Sequence, residues 1–218
     1  MLNFLIDNIK KSKLFWYYRH ILTPNFWEKQ LECKNQKRRH FYSKFIKDNK
    51  IKPVIFEFGC GSGVNFHVIE KNIKNCNFLG FDISQNAILI ARQFQKDNWK
   101  FVSKIDVDLL SQFLTEKTFS TFGLAIYDRV LYNLTNKDVK NHFNTYGKIF
   151  DYIIIDDFVH FNDIPFKSGA YISKNYVKIL NNRNFKLIHN YKSKHNIIKN
   201  DQIFDSSARI LIFKNIFK

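Results

Sequence analysis

Seven short runs rich in β-branched and aromatic residues recur along the chain: VIFEFG (54–59), NFLGFDI (77–83), KFVS (100–103), GLAIYD (123–128), DYIIIDDF (151–158), FKLIHNY (185–191) and ARILIFK (208–214). Through most of the series their starts lie roughly 20 to 30 residues apart, the length of one strand plus one helix. That spacing predicts an α/β fold with a mostly parallel sheet of seven strands. Helical connections are predicted to include Phe66–Asn72, Gln85–Lys96, Asn136–Tyr146 and Gly169–Asn181, with Ser84 and Asn136 as amino-terminal caps.

Residues 1–50 follow a different period. Leu2, Leu5 and Ile9, then Leu14, Tyr18 and Ile21, and later Phe41, Phe45 and Ile46 recur at helical spacing, with a break near Pro24. This segment is read as a helical extension whose Trp16, Tyr17, Tyr18 and Trp27 cover one end of the core or form a lid over a substrate. The expected division is therefore 1–50 for the extension and 51–218 for the α/β domain. At 218 residues one core is expected, and no apolar run reaches the ~18 residues of a membrane span. Asp7 and lysines 10, 11 and 13 interrupt the first apolar stretch, so a signal peptide is not expected. Cys33, Cys60 and Cys76 are odd in number and form no CxxC pair, which fits a reducing cytoplasm better than a disulfide or zinc framework.

The net charge of +16 raises the question of an anionic partner. Residues 1–50 hold 12 Lys/Arg against 4 Asp/Glu, and residues 51–218 hold 23 against 15. Only the first segment is dense in positive charge, with its peak at Lys37-Arg38-Arg39. Abundant Lys, Asn, Ile and Phe favour compositional drift and solvated helix faces over nucleic-acid binding.

The chemistry concentrates at Glu57-Phe58-Gly59-Cys60-Gly61-Ser62-Gly63, between the first strand and a helical stretch. Glycines there let the backbone bend and approach a ligand closely, while the following helix presents unpaired N–H groups. The next strand ends at Asp82, 19 residues beyond Gly63, where a carboxylate would take the two ribose hydroxyls of an adenosine. A dinucleotide fingerprint would need a third glycine at 64, and the chain has Val64. Glu57 would repel a pyrophosphate but suits an ammonium or sulfonium. No tyrosine is followed four residues later by lysine, as a short-chain dehydrogenase would require.

These residues resemble motif I, E/D-x-G-x-G-x-G, of class I S-adenosylmethionine-dependent methyltransferases. Phe78-Leu79-Gly80-Phe81-Asp82-Ile83-Ser84 resembles their second strand, Phe101 to Asp106 their third, and Leu124 to Leu134 their fourth with its loop. The resemblance implies a doubly wound sheet and S-adenosylmethionine as cofactor, bound by Glu57, Gly59, Cys60, Gly61, Gly63, Asp82, Ile83, Asp106 and Tyr127. In it Ile83 packs on adenine and Asp106 meets the adenine amino group, with Asp108 as competitor. Cys60 is read as a small turn residue rather than a nucleophile.

Residues just after the fourth and fifth strands, Tyr127, Asp128, Arg129, Asp156, Asp157 and His160, are the catalytic candidates, since ligands of open α/β sheets sit beyond the carboxyl ends of strands. His160 could deprotonate a hydroxyl acceptor and Asp157 is the second catalytic candidate, while Asp156 and Asp157 could instead cap the next helix or help place the cofactor. The doubly wound order implies that Asp128 and the Asp156-Asp157 pair open onto one crevice, yet the Asp-Asn pair of the metal-dependent O-methyltransferases is missing, so no metal is expected. No (D/N)PP(Y/F/W) follows the fourth strand, which disfavours methylation of nucleobase amines. The expected acceptor is a small molecule such as a sugar or other hydroxylated metabolite, methylated on oxygen. RNA methylation through the basic segment and a non-catalytic cofactor-binding protein are the alternatives.

Overall fold

Each of the seven apolar runs forms a strand of one sheet. The computed structural model describes residues 25–32, 37–161, 165, 167–168, 171–193 and 208–217. In chain order the elements are α1 (Phe26–Gln30), α2 (Lys37–Asp48), β1 (Val54–Phe58), α3 (Val64–Asn72), β2 (Asn77–Phe81), α4 (Gln85–Gln93), β3 (Trp99–Val102), α5 (Val107–Glu116), β4 (Phe122–Asp128), α6 (Asn136–Tyr146), β5 (Phe150–Phe158), β6 (Lys167–Ser168), β7 (Tyr171–Ile172), α7 (Tyr176–Asn181), β8 (Phe185–Lys192) and β9 (Ala208–Asn215). The sheet order is β3-β2-β1-β4-β5-β9-β8. β1, β2 and β3 pair in parallel, and β9 runs antiparallel to both β5 and β8. The mostly parallel, doubly wound α/β expectation holds.

The described chain forms two compact units, one within residues 25–125 and one within 126–217. In the first, packed aromatic rings run through the core beside aliphatic side chains. Phe66 on α3 stacks on Phe78 of β2 and Phe101 of β3, with centroids 4.5 and 5.4 Å away, and Trp99 meets Phe78 edge-on. Offset and edge contacts of this kind add about 0.5–1.5 kcal/mol per pair beyond burial. At the outer strand β3, the outward Trp99 N–H donates to the Lys96 carbonyl, and the Phe101 carbonyl accepts from Arg92 Nε and Nη2. Two of the groups that could template another strand are thus occupied.

Helix boundaries follow local chemistry. Ser84 caps α4 as expected, accepting from the Ala87 N–H. The cap of α6 is Thr135, one residue before the predicted Asn136, because Thr135 and Asp138 form a reciprocal capping box. Of the predicted helix Gly169–Asn181, residues 169–170 lie outside the described residues, Tyr171–Ile172 form β7 paired with β6, Lys174 bridges to Val159, and α7 starts at Tyr176. α5 is an additional helix, opened by Asp106, whose side chain accepts from the Leu109 N–H. α1 and α2 supply helices within the predicted extension. The expectations for Leu2 through Pro24 and for Cys33 lie outside the described residues. Among the described residues no helix is long and apolar enough to cross a membrane.

Candidate active site

The loop after β1 is built for close approach. Gly59, Gly61 and Gly63 all have positive φ, 76°, 55° and 77°, a region that side chains disfavour. The Gly59 and Cys60 N–H groups both donate to the Phe81 carbonyl, pinning the loop to the end of β2. There the Asp82 carboxylate accepts from the Gly61 N–H at 2.9 Å and from the Ser84 N–H at 2.8 Å. Burial pushes the Asp82 carboxyl up to about 6, although the two N–H bonds favour its charged form. Ile83 is half-buried beside it, and exposed Asp106 uses one oxygen to cap α5. Asp108 is exposed in the first turn of that helix.

One side chain from the amino-terminal helices reaches this loop, and a second reaches the first turn of α3 behind it. Gln30 Oε1, at the end of α1, accepts from both the N–H and the hydroxyl of Ser62 at 2.9 Å. A Cβ on Gly61 would displace the flexible end of Gln30, and its φ of 55° is what requires a glycine there. Glu57 is buried, and its Oε1 accepts from Asn65 Nδ2 at 2.6 Å. Asn65 Oδ1 in turn accepts from Arg39 Nη1 on α2. Cys60 lies with its Sγ against Gly80, and burial raises its thiol well above the usual range. It therefore serves as a turn residue rather than a nucleophile.

In the other unit, the ends of β4 and β5 depart from expectation. Tyr127 is fully buried and its hydroxyl shares a 2.8 Å hydrogen bond with His142 Nε2 on α6, so its side chain belongs to the helix layer. Arg129 follows β4 with φ 56°, a strained position for a non-glycine residue, and its N–H donates to the Asp156 carbonyl. Asp156 and Asp157 are both 0% exposed, because β5 continues to Phe158 and keeps them inside the strand. They do not open onto a crevice with Asp128, as had been expected. Asp157 accepts from the Tyr132 N–H, the Phe158 N–H and the Tyr176 hydroxyl at 2.8–2.9 Å. Burial pushes its carboxyl up to about 7, against those bonds and the nearby charge of Lys174. His160 is buried and its Nδ1 lies 2.9 Å from Ser173 Oγ. Among the described residues no group of three or more His, Cys, Asp or Glu could hold a metal ion.

A family model described as a methyltransferase domain matches residues 56–148, the stretch that carries the glycine loop, Asp82 and β4. This stretch is a methyltransferase domain, and the fold around it is that of the class I S-adenosylmethionine-dependent methyltransferases. Its fold is similar to that of magnesium protoporphyrin IX methyltransferase (ChlM) from Synechocystis PCC 6803 with bound SAH, at 15% identity and a TM-score of 0.62, covering 97% of this chain and 98% of that one. The plantazolicin methyltransferase BpumL in complex with SAH is similar at 13% identity and a TM-score of 0.61, covering 97% of each chain. Mitomycin 7-O-methyltransferase MmcR is similar at 9% identity and a TM-score of 0.52 over 74% of this chain, which spans about half (48%) of that protein. No curated protein matches the chain in sequence.

Sequence reasoning missed Gln30, Arg39 and Asn65 in this methyltransferase, and Tyr176 and Lys174 around Asp157. Gln30 and Ser62 are 32 residues apart, and no period or motif links them. Asn65, a polar residue between Val64 and Phe66 at the start of a buried helix, was the one visible signal.

The Tyr127–His142 pair gives a pH prediction. Burial lowers His142 from 6.5 to about 3, so the folded ring stays neutral. Its contribution to stability is complete above pH 6.5 and is lost as pH falls from there through about 3, at up to roughly 1.4 kcal/mol per unit. His142→Phe should remove that acid-side loss while lowering stability at pH 7.5 by about 1 kcal/mol, because Tyr127 loses this partner. Urea midpoints of parent and variant between pH 4.5 and 7.5 test this, and parallel pH curves would count against it.

Proposed function

We propose that this methyltransferase transfers the methyl group of S-adenosylmethionine to the oxygen of a small hydroxylated molecule. The carrying observation is the junction of the positive-φ glycine loop with Asp82, whose carboxylate already accepts from the Gly61 N–H. The residues present fit an adenosine bearing an amino-acid tail. Asp82 would take the ribose hydroxyls, Ile83 the adenine face and Asp106 the adenine amino group. Gly59, Cys60, Gly61 and Gly63 would offer backbone to the tail, and Glu57 would answer its ammonium. Tyr127 would contribute through its backbone, since its hydroxyl is engaged by His142.

When bound, S-adenosylmethionine supplies a methyl group made electrophilic by its sulfonium. The protein then has to align the acceptor and take up its proton. His160 is the proposed base, oriented through Nδ1 by Ser173. Asp157 is proposed as an anchor for the Tyr132 backbone and Tyr176, because all its hydrogen bonds go to protein donors from a site without exposure. A small acceptor is favoured over RNA because Arg39, within the densest basic run, is turned into the protein. A reducing compartment such as the cytoplasm suits Cys60 and Cys76, both free and buried.

S-adenosylhomocysteine at 100 times its Kd should stabilise the fold by about 2.7 kcal/mol through mass action, a clear rise in melting temperature. NAD and NADP should produce none. Calorimetry showing NAD binding and no response to S-adenosylhomocysteine would overturn the cofactor reading.

A further inference from the structure

Two opposite charges are buried on either side of one amide. Arg39 on α2 is 4% exposed, Glu57 at the end of β1 is 2% exposed, and Asn65 in the first turn of α3 is 1% exposed. Arg39 Nη1 donates to Asn65 Oδ1, and Asn65 Nδ2 donates to Glu57 Oε1 at 2.6 Å. A charge removed from water persists only where hydrogen bonds and an opposite charge replace its hydration. The relay supplies both, and it has a fixed sense. The carbonyl of Asn65 faces the cation and its amino group faces the anion; the reverse orientation would set donor against donor and acceptor against acceptor. Arg39 thereby fixes the rotamer of Asn65, and Asn65 fixes an oxygen of Glu57. The helix that carries Arg39 is also held on α3 by Ser43, whose hydroxyl donates to the Val68 carbonyl at 3.5 Å and accepts from Asn72 Nδ2 at 3.4 Å.

We propose that Arg39 is a positioning residue for the amino-acid end of the cofactor: acting through Asn65, it holds the Glu57 carboxylate in place for the ammonium group. This rests on the cofactor reading above. It also gives Arg39 a role different from its neighbours in the basic run, exposed Lys37 and half-buried Arg38. Docking of α2 and recognition of the tail thus become parts of one arrangement.

The test compares two ligands on the full chain by calorimetry. S-adenosylhomocysteine carries the amino-acid tail, whereas 5′-methylthioadenosine has the same adenosine and thioether without it. Arg39→Gln and Asn65→Ala should each weaken S-adenosylhomocysteine about tenfold or more and change methylthioadenosine less than about twofold. Arg39→Lys, which keeps the charge but not the fork, should lose less than Arg39→Gln. The double variant should be no weaker than the worse single one, as for residues acting in one chain. Equal weakening of both ligands would show a merely structural role and overturn the proposal, as would unchanged S-adenosylhomocysteine affinity in a folded variant. If Arg39→Gln does not fold, Asn65→Ala and Arg39→Lys carry the same comparison. A parent chain that binds neither ligand overturns the cofactor reading itself, and this proposal with it.

Discussion

Asp82→Ala should reduce S-adenosylhomocysteine affinity by more than tenfold, and the structure gives two reasons. The first is loss of a charged acceptor for the ribose hydroxyls, worth roughly 1.5–3 kcal/mol. The second is that Asp82 also accepts from the Gly61 and Ser84 N–H groups, so its removal frees the glycine loop as well. Two buried donors left without this partner should lower stability by roughly 1–3 kcal/mol, a modest fall in melting temperature that the affinity measurement has to be corrected for. The pH dependence follows from the raised carboxyl. A ligand that hydrogen-bonds to the charged form loses affinity as Asp82 takes up a proton, so parent affinity should decline as pH falls through about 6. The alanine variant should lack that decline. Isothermal titrations at pH 5 and pH 8 measure both effects, and a variant that binds as tightly as the parent, with the same pH profile, would place the ribose elsewhere.

The fold was legible because each βα unit in this chain is locally consistent. Runs such as DYIIIDDF are too short and too β-branched for buried helices, and their spacing leaves room for one helix. The errors came where local signals were equivocal. Gly169–Asn181 has helical composition only in its second half, and the β6–β7 hairpin of two-residue strands has no periodicity to read. Asn136 and Thr135 are both competent caps, and Asp138 decided between them by completing a capping box. α5 was hidden because Asp106 was assigned to a ligand, although a residue of that type before a run with Leu110, Phe113 and Leu114 is also a helix start.

The site was legible where function lies in the backbone of one short segment, as at Gly59, Gly61 and Gly63. It was not legible where distant segments converge. Gln30 comes to the loop and Arg39 to Asn65 from two separate helices, and only the packing of α2 against α3 brings Arg39 there. Nor did sequence reveal that Tyr127, Asp156 and Asp157 face inward. In a half-buried strand, alternation would have turned one of two adjacent carboxylates toward solvent, but β5 is an interior strand of the sheet and buries both.

Asp157→Ala should be among the most destabilising single changes in the chain. It strips a partner from two backbone N–H groups and the Tyr176 hydroxyl, all in buried residues, and leaves a small cavity. At roughly 1–3 kcal/mol per orphaned donor, offset by relief from burying a carboxylate, a net loss of about 3 kcal/mol is expected, which lowers the melting temperature by about 6–12 °C for a chain of this size. Asp157→Asn keeps the shape but turns an amino group toward one of these donors, so it should fall between parent and alanine variant. The sign with pH is set by a carboxyl raised from 3.8 to about 7. Its neutral form is favoured in the fold, so its contribution is complete below pH 3.8 and is lost as pH rises through about 7. The stability gap between parent and Asp157→Ala should accordingly narrow between pH 5 and pH 8. Were Asp157 instead the general base, Asp157→Asn would keep its melting temperature and lose methyl transfer, so thermal unfolding and a rate measured on the same preparation separate the anchor from the base.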